Sequence, residues 1–292
     1  MMILPDALIS TLTSLLGPVT AATPVGGGDI SRAVRLRLTD GSQVLVKWRT
    51  GSLPGLFTAE RCGLDLLRSA QALRVPEVLT QAEATADSPA YIVMEWLEPG
   101  SKSATSAEAL GMGLAAQHRC FGPAFGLDHD NFIGANPQPN RLMDNWVDFF
   151  RERRLGFQME LAGRNGLLPP PRARHLESLL KRLADWLPPQ PSASLLHGDL
   201  WGGNWLTTAA GQPALIDPAV YYGHREADLA FTELFGGFQG GFYAAYRAAW
   251  PLDPGYGERS ELYNLYHLLN HLNLFGEGYG SSVDSILRRF VG

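Results

Sequence analysis

The chain has 292 residues, of which 45% are hydrophobic and 18% are charged, and its formal net charge is −5; this is the composition of an ordinary globular protein with room for substantial cores. No basic stripe indicates a nucleic-acid partner, and no apolar run reaches the roughly 18 residues of a membrane span. The two cysteines, Cys62 and Cys120, exclude a disulfide framework and a cysteine zinc cluster.

The first hundred residues predict a small antiparallel sheet accompanied by helices. The chain starts with an amphipathic helix that lacks the basic segment of a signal peptide, so a cytoplasmic location is expected. A glycine-rich turn and an Asp40-Gly41 hairpin separate three strands, the last of which contains Lys47. The expected elements are a helix at 6–17, strands within 18–49, a helix at 57–73 and strands near 75–80 and 89–98.

After Pro99-Gly100 the pattern becomes mainly helical. This break predicts two domains, a sheet-rich N-lobe at 1–97 with one inserted helix and a larger helical C-lobe at 98–292, which together make an α+β two-lobe fold. The expected C-lobe segments are helices at 106–119, 141–163, 172–187 and from about 226 onward, a loop-rich gap at 121–140 and a mixed stretch with two short strands at 194–217.

The stretch "LLHGDLWGGNWL" at 195–206 carries the most specific motif. His197, Asp199 and Asn204 have the spacing H-x-D-x-x-x-x-N, and Asp217 follows a strand-like "PALI", as in the catalytic and D-F-G segments of kinases. Phosphoryl transfer needs positioning and charge neutralisation more than covalent chemistry. Asp199 is therefore the predicted base that accepts the proton of the attacking hydroxyl, and Asn204 and Asp217 supply oxygen ligands of the kind that Mg²⁺ prefers.

Two N-terminal features fit the same chemistry. Lys47 closes a strand and Glu60 lies on the next predicted helix, an order in which a kinase lysine contacts the phosphates of ATP and a glutamate orients it. The backbone around Gly27 and Gly28, in "GGGDIS", has the freedom to fold over phosphates. Each feature alone also fits an ordinary strand end or hairpin, but together with the catalytic motif they favour a phosphotransferase.

Other chemistries have weaker signals. His267 and His271 form an i, i+4 pair that could bind zinc, but no glutamate occupies the second place of that motif, which favours helix-packing or substrate-side histidines. No G-x-S-x-G supports a Ser-His-Asp hydrolase, and the A-P-E segment of a protein kinase is missing.

Beyond these motifs, the sequence resembles the fructosamine kinase (ketosamine kinase) family, in the aminoglycoside-phosphotransferase-like branch of the protein-kinase-like fold. The resemblance rests on "LLHGDLWGGNW" and "IDPAVYYGHREADLAFTELFGGF", and on shorter segments from "VGGGDIS" to "LYHLLNHLNLFGEGY" in family order. It implies ATP- and Mg²⁺-dependent phosphorylation of a sugar hydroxyl on a ketosamine, the adduct of a reducing sugar with an amine. The implied partner is a small glycated amine, with neither nucleic acid nor membrane.

The resemblance also implies roles for further residues. Glu95, Trp96 and Leu97, in "MEWLE", would form the hinge whose backbone receives adenine. Some family members have cysteine where this chain has Asp29, so a thiol switch in that loop is absent here and a carboxylate stands beside the expected phosphates. The residues expected near the sugar are Trp201, His224, Arg225, Glu226 and Asp228.

Three functions stay open on the sequence. A ketosamine kinase is favoured, and the alternative within the same chemistry is a kinase of an aminoglycoside, a choline-like or another amino-alcohol substrate. A nucleotide-binding protein without turnover is the third, although all five catalytic positions are filled. The sequence does not specify the sugar, the amine, the hydroxyl that is phosphorylated or the oligomeric state.

Overall fold

A computed structural model describes residues 4–26, 30–51 and 53–292 of the chain. Its strands are β1 (Val19–Val25), β2 (Arg32–Leu38), β3 (Gln43–Arg49), β4 (Val78–Ala82), β5 (Ala90–Glu95), β6 (Asn131–Ile133), β7 (Asn136–Gln138), β8 (Ser194–Leu196), β9 (Trp205–Thr207), β10 (Pro213–Leu215) and β11 (Tyr221–Gly223). Its α-helices are α1 (Asp6–Leu16), α2 (Leu56–Ser69), α3 (Ala104–Gln117), α4 (Trp146–Phe149), α5 (Phe157–Arg164), α6 (Pro170–Arg182), α7 (Glu226–Leu234), α8 (Gly240–Ala249), α9 (Tyr256–Phe275) and α10 (Gly280–Val291).

Five strands form an antiparallel sheet in the order β1-β2-β3-β5-β4. The predicted Asp40-Gly41 turn joins β2 to β3: the Asp40 carboxylate accepts a hydrogen bond from the Ser42 N–H at 2.9 Å, and Gly41 has a φ of +86°. Glycine adopts this φ without strain. The turn therefore sets the register in which Arg37 pairs with Gln43.

The alternation of β3 divides its side chains between two environments. Val46 and Trp48 are buried with Leu8 and Leu12 of α1, which lie four residues apart on one helical face. Lys47 belongs to the opposite face of the strand and borders a cleft. The sheet is thus covered by α1 on one side, and its other side forms part of the cleft wall.

The C-terminal part is organised around α9, which is buried along most of its length. Helices α5, α7 and α10 all pack against α9. The core between them includes Trp146, Phe150, Tyr263 and Leu269, whose side chains are almost fully buried. The same core includes Leu196 of β8 and Tyr221 of β11.

One hydrophobic cluster continues across the predicted boundary between residues 97 and 98. This bridging cluster joins Ile92 and Met94 of β5 to Leu110 and Leu114 of α3 and to Leu200, together with their buried neighbours. The two predicted domains therefore share a core. The division into 1–97 and 98–292 remains a prediction.

The helix expected at 141–163 differs from the structure in two ways. It begins at Trp146, because the Asn145 side chain caps it by accepting a hydrogen bond from the Asp148 N–H at 3.1 Å. Its middle turn is π-helical from Phe150 to Gly156, between α4 and α5. A cap and a π-helical turn leave the apolar spacing almost unchanged, so the sequence suggested one continuous helix.

The gap at 121–140, expected to be loop, contains the β6–β7 hairpin. Its paired residues include Asn131 with Gln138 and Phe132 with Pro137. Asn and Pro are depleted in strands, so no strand pattern marks this hairpin in the sequence.

The predicted α+β layout is confirmed: an antiparallel five-stranded sheet precedes a mainly helical part. The sheet is accompanied by two helices, α1 and α2, which pack with alternate residues of β5. Within the ranges that the structure describes, no helix combines the length and apolarity that crossing a bilayer requires.

Candidate active site

Two short loops carry the residues of the predicted catalytic motif. Residues 197–204, the first loop, lie between β8 and β9, and residues 216–219, the second loop, lie between β10 and β11. β8 pairs with β11 and β9 pairs with β10. Each loop therefore starts and ends on a strand that is paired with a strand of the other, so the two loops lie side by side.

Hydrogen bonds join the two loops directly. The Ile216 N–H donates to the Asn204 carbonyl at 3.1 Å, and the Ala219 N–H donates to the His197 carbonyl at 2.9 Å. The His197 ring adds a third link, since its Nε2–H donates to the Ile216 carbonyl at 2.9 Å. Burial lowers the pKa of His197, which favours the neutral ring in this bracing position.

The backbone of both loops is specialised. Gly198 has a φ of +82°, and a Cβ at this position would lie 1.9 Å from the Ala219 carbonyl oxygen, so only glycine fits. Asp217 has a φ of +54°, in the left-handed region that aspartate tolerates better than most residues. These two conformations fix the positions of Asp199 and Asp217 relative to each other.

Asp199, Asn204 and Asp217 line one cleft. The Asn204 Nδ2 donates to the backbone oxygen of Asp199 at 2.8 Å and to its Oδ2 at 2.9 Å. Because Nδ2 is used in this way, the Oδ1 of Asn204 is left as an acceptor or a ligand. This oxygen and the Asp217 carboxylate are hard donors, so the pair fits the chemistry of a magnesium ion.

The Asp199 carboxyl has an altered acidity. Burial raises its pKa well above the ordinary value, the negative charge of Asp217 raises it further, and the hydrogen bond from Asn204 opposes both effects. A carboxylate with a raised pKa is a stronger proton acceptor. Asp199 therefore has the properties that general-base catalysis requires.

Lys47 faces these loops from β3. Its ammonium donates to Glu60 Oε1 at 2.6 Å and also contacts the Asp217 carboxylate. Burial alone would lower the pKa of Lys47, but the charges of Asp217 and Glu60 outweigh burial and raise it above the ordinary value. Lys47 is therefore a fixed positive charge at the point where β3, α2 and the second loop meet.

The cleft has a volume of about 900 Å³, within the range of sites that hold small ligands and cofactors. Glu95, Trp96 and Leu97, the predicted hinge, line it. The Leu97 N–H makes no hydrogen bond to another described residue, so it is available to a nucleobase acceptor. The adenine-binding role of this hinge stays a prediction.

The glycine-rich turn is described only in part. The predicted phosphate-binding residues Gly27 and Gly28, and Asp29 beside them, lie outside the described residues. Gly26 and Ile30, on either side of them, line the cleft.

Trp201 lies two residues after Asp199 and also lines the cleft. Its side chain is among the exposed large hydrophobic groups, at 39%. The ring folds back over Gly203, where a Cβ would lie 2.3 Å from it. The indole thus offers an apolar face in the cleft that Asp199 also lines, and such a face suits the carbon face of a sugar ring.

The structure does not bring the other four residues expected near the sugar to the cleft. His224, Arg225, Glu226 and Asp228 are all at most 3% exposed, and none of them lines the cleft. The first turn of α7 and the two residues before it direct these side chains into the protein. Their hydrogen-bond partners include Tyr263, Arg259, His118 and the carbonyls of Trp250 and Pro251.

Asp228 supports the first loop through hydrogen bonds to its backbone. Its Oδ2 accepts a hydrogen bond from the His197 N–H at 2.7 Å, and its Oδ1 accepts one from the Gly198 N–H at 2.9 Å. Burial alone would raise the pKa of Asp228, but hydrogen bonds and charge from His118 and the backbone hold it below its ordinary value. The ionised carboxylate therefore positions the segment that leads into Asp199.

We expect Asp228→Asn to slow the reaction for every acceptor by a similar factor and to lower the free energy of unfolding by about 1–3 kcal/mol, because the new amide opposes a buried backbone donor. Thermal unfolding and kcat for several acceptors measure these effects. Asp65→Asn, at an exposed position on α2, is the control. A loss confined to amine-bearing substrates would instead indicate a direct contact.

A second group of metal-binding residue types lies away from the cleft. Among the described residues, His224, Glu226 and Asp253 bring ligand atoms within 4.8 Å of one another. Both Glu226 oxygens, however, accept hydrogen bonds from Arg259 at 2.7 Å. The guanidinium already neutralises this carboxylate, so the group does not make a metal site.

Several cleft residues were not predicted from the sequence. They lie on separate elements: Asn131 on β6, Phe235 after α7, and Asn270, His271 and Phe275 on α9. The only sequence signal was the pair His267 and His271, for which a substrate-side position was one interpretation. The structure separates that pair, since His271 lines the cleft while the His267 ring stacks on Phe231 with centroids 3.5 Å apart.

Lys47 of the sheet, two residues of the first loop and one of the second loop thus line a single cleft. The loop residues are Asp199, Asn204 and Asp217. The fold and this arrangement define a kinase of the two-lobed, protein-kinase-like class. The sequence profile "Fructosamine kinase" matches residues 4–292, almost the whole chain. The chain belongs to the fructosamine kinase family.

Relatives and solved structures agree with this assignment. A Synechocystis protein named "Probable ketoamine kinase" is 44% identical over 91% of this chain and 88% of its own. The Arabidopsis thaliana "Protein-ribulosamine 3-kinase, chloroplastic" is 37% identical over 94% of this chain and 83% of its own. A Thermobifida fusca structure, solved as a candidate fructosamine-3-kinase, superposes with a TM-score of 0.85 at 32% identity, covering 97% of this chain and 98% of that one.

A more distant likeness concerns the fold alone. The aminoglycoside phosphotransferase APH(4)-Ia, crystallised with AMP-PNP and hygromycin B, superposes with a TM-score of 0.68 at 18% identity, covering 98% of this chain and 100% of that one.

Proposed function

We propose that this chain is a kinase that uses ATP and Mg²⁺ to phosphorylate a sugar hydroxyl of ketosamines. The observation that carries the proposal is the convergence of Lys47, Asp199, Asn204 and Asp217 on one cleft in a member of the fructosamine kinase family. The ketoamine and ribulosamine kinases among its relatives support the substrate class. The nucleotide held by APH(4)-Ia supports the use of ATP.

Each of these residues has a distinct part in the proposed reaction. Lys47, oriented by Glu60, binds phosphate oxygens, and the Leu97 N–H binds the nucleobase. Asn204 and Asp217 hold the magnesium ion, which when bound neutralises charge on the phosphates. Asp199 orients the acceptor hydroxyl and takes its proton as the oxygen bonds to the γ-phosphorus of ATP, while the bond from that phosphorus to the β-phosphate oxygen breaks and ADP leaves. The two linked loops keep these groups in place before the substrate arrives.

The charges around the cleft favour a substrate with one cationic group over a polycation. Among the described residues that line the cleft, the carboxylates are Glu60, Glu95, Asp199 and Asp217. Glu60 and Asp217 contact Lys47, and Glu95 contacts Arg74. An aminoglycoside carries several ammonium groups that need anionic partners, whereas a ketosamine carries one. The remaining carboxylate, Asp199, is reserved for the hydroxyl.

A substrate panel tests this proposal. ADP release is measured with fructosyl-amines, ribulosyl-amines, free fructose, free ribulose, choline and an aminoglycoside. We expect kcat/KM to be highest for the ketosamines, because a site that pairs with specific substrate groups rejects analogues lacking them. Higher kcat/KM for choline or the aminoglycoside would replace the substrate class but keep the kinase. Nucleotide binding without ADP release on any member would indicate a binding protein.

A further inference from the structure

Four rings form an aromatic cluster at the mouth of the cleft: Phe235, His271, Phe275 and Tyr279. The centroid of the His271 ring lies 5.1 Å from that of Phe235, 5.6 Å from that of Phe275 and 5.1 Å from that of Tyr279. Phe235 and Phe275 are 44% and 49% exposed, and all four residues line the cleft. Large rings left in solvent at the edge of a cleft are typical of a binding surface.

Glycines allow the segment that follows Phe235 to pack closely against the loop that carries Asp199. Gly237 follows Phe235 closely and has a φ of +91°, and a Cβ there would lie 2.7 Å from the Gly202 Cα. A Cβ on Gly202 would in turn lie 2.9 Å from the Gly236 carbonyl oxygen. The segment after α7 therefore rests directly on the first loop. Asp199 and the aromatic cluster line the same cleft, so a molecule bound there can reach both.

The His271 ring presents a hydrogen-bond acceptor within this cluster. Its Nδ1 lies 2.8 Å from the His267 carbonyl, which can only accept, so Nδ1 carries the hydrogen. In the neutral ring, Nε2 then has a free lone pair. Burial lowers the pKa of His271, which keeps the ring neutral near pH 7. Nε2 makes no hydrogen bond to another described residue.

We propose that the aromatic cluster binds the secondary ammonium of a ketosamine, with His271 Nε2 accepting its N–H and the rings of Phe235, Phe275 and Tyr279 facing its charge. The inference rests on the proposed function, because it assigns the amine half of that substrate. A hydrogen bond from a cationic donor is stronger than one between neutral groups, and aromatic faces attract cations. A neutral acceptor also suits the site, since a carboxylate added to Asp199 and Asp217 would make these groups harder to ionise.

The experiment measures binding of the ammonium separately from binding of the sugar. Two acceptors of equal size make the comparison: fructosyl-butylamine, and 1-O-butyl-fructose, in which an ether oxygen replaces the nitrogen. The measured quantity is the ratio of their kcat/KM values, with an inhibition constant used for the ether if it is a poor substrate. Where both acceptors are turned over, inactive protein lowers both kcat/KM values equally, so partial misfolding leaves the ratio unchanged; otherwise kcat/KM is corrected by titration of active sites.

His271→Phe keeps a ring among its neighbours and removes the acceptor. We expect it to lower the amine-to-ether ratio about tenfold or more, mainly through KM for the amine. His271→Gln, whose side-chain oxygen can accept, should recover part of that loss, and Phe275→Leu should lower the ratio to a smaller extent. His175→Phe, the same replacement on α6 away from the cleft, is the control that leaves the ratio at its wild-type value.

The outcomes distinguish this inference from the proposed function. If the wild-type protein phosphorylates fructosyl-butylamine and neither His271→Phe nor Phe275→Leu changes the ratio, the aromatic cluster does not bind the ammonium and the ketosamine kinase stands. If the wild-type protein phosphorylates no ketosamine, the proposed function and this inference both fail.

Discussion

Asp199→Asn is expected to lower kcat about 10²–10⁴-fold, the usual contribution of a positioned general base. The asparagine keeps an oxygen that can accept the hydrogen bond that the Asn204 Nδ2 now donates to Asp199 Oδ2 at 2.9 Å. The loop geometry is therefore retained while the proton acceptor is lost. Binding of MgATP should change little, because Lys47 and Leu97 are untouched. Single-turnover phosphoryl transfer and calorimetric nucleotide binding measure the two effects.

The same substitution is expected to stabilise the protein without nucleotide. Because the folded state raises the pKa of Asp199, its ionised form costs stability at every pH above the pKa of the unfolded chain, near 3.8. The cost disappears as pH falls through that value, since the carboxyl is then neutral in both states. Asp199→Asn should thus raise the unfolding midpoint at pH 7, with a difference that shrinks toward pH 4. Wild-type turnover, or a lower midpoint at pH 7, would contradict this account of Asp199.

Asp217→Ala is expected to abolish the dependence of ATP binding on Mg²⁺ and to remove measurable turnover. Asp217 is the one charged member of the pair of oxygen ligands, and Asn204 supplies only a neutral carboxamide. The loss should exceed the roughly 10–100-fold that follows removal of a group that only orients a metal ligand. Titration of ATP by calorimetry, with and without Mg²⁺, measures it directly.

The structure provides a control for this change. Asp87→Ala removes an exposed carboxylate from the loop before β5 and should leave the Mg²⁺ dependence unchanged. Removing Asp217 also removes one of two anionic partners of Lys47, but Glu60 keeps its 2.6 Å contact. The lysine therefore stays in place, and a retained Mg²⁺ dependence in Asp217→Ala would assign the metal to other ligands.

The residues that the two loops place in the cleft could be predicted because they belong to local sequence motifs. Asp199 and Asn204 belong to one loop whose spacing is dictated by the geometry of the reaction, and Asp217 follows a short strand. Lys47 and Glu60 are distant from that loop in sequence, but each sits on an element with a clear period, a strand and a helix. Their order along the chain was enough to suggest that they meet.

The residues on the sugar side of the cleft were harder to predict, because residue type does not show which way a side chain points. "YYGHREAD" contains the ring, guanidinium, imidazole and carboxylates that a sugar amine needs, yet Arg225, just before α7, and Asp228, in its first turn, are both buried. Phe235, His271 and Phe275 lie in segments that resemble the family, but no motif assigned them a place in the cleft, and they come together where α7 and α9 pack. The hydrogen bond that Asp228 accepts from the His197 N–H likewise joins residues 31 positions apart in the sequence.

The bridging cluster makes the sheet and the helical part depend on each other for folding. Ile92 and Met94 are 0% and 2% exposed in a cluster to which α2, α3 and the first loop all contribute. A chain ended after Leu97 would open this apolar surface to water, at roughly 25 cal/mol for each Å² uncovered. Neither piece would then retain a complete interior, so the sheet and the helical part should melt in a single cooperative transition. A severed sheet would associate with other chains through the surface that α3 now protects.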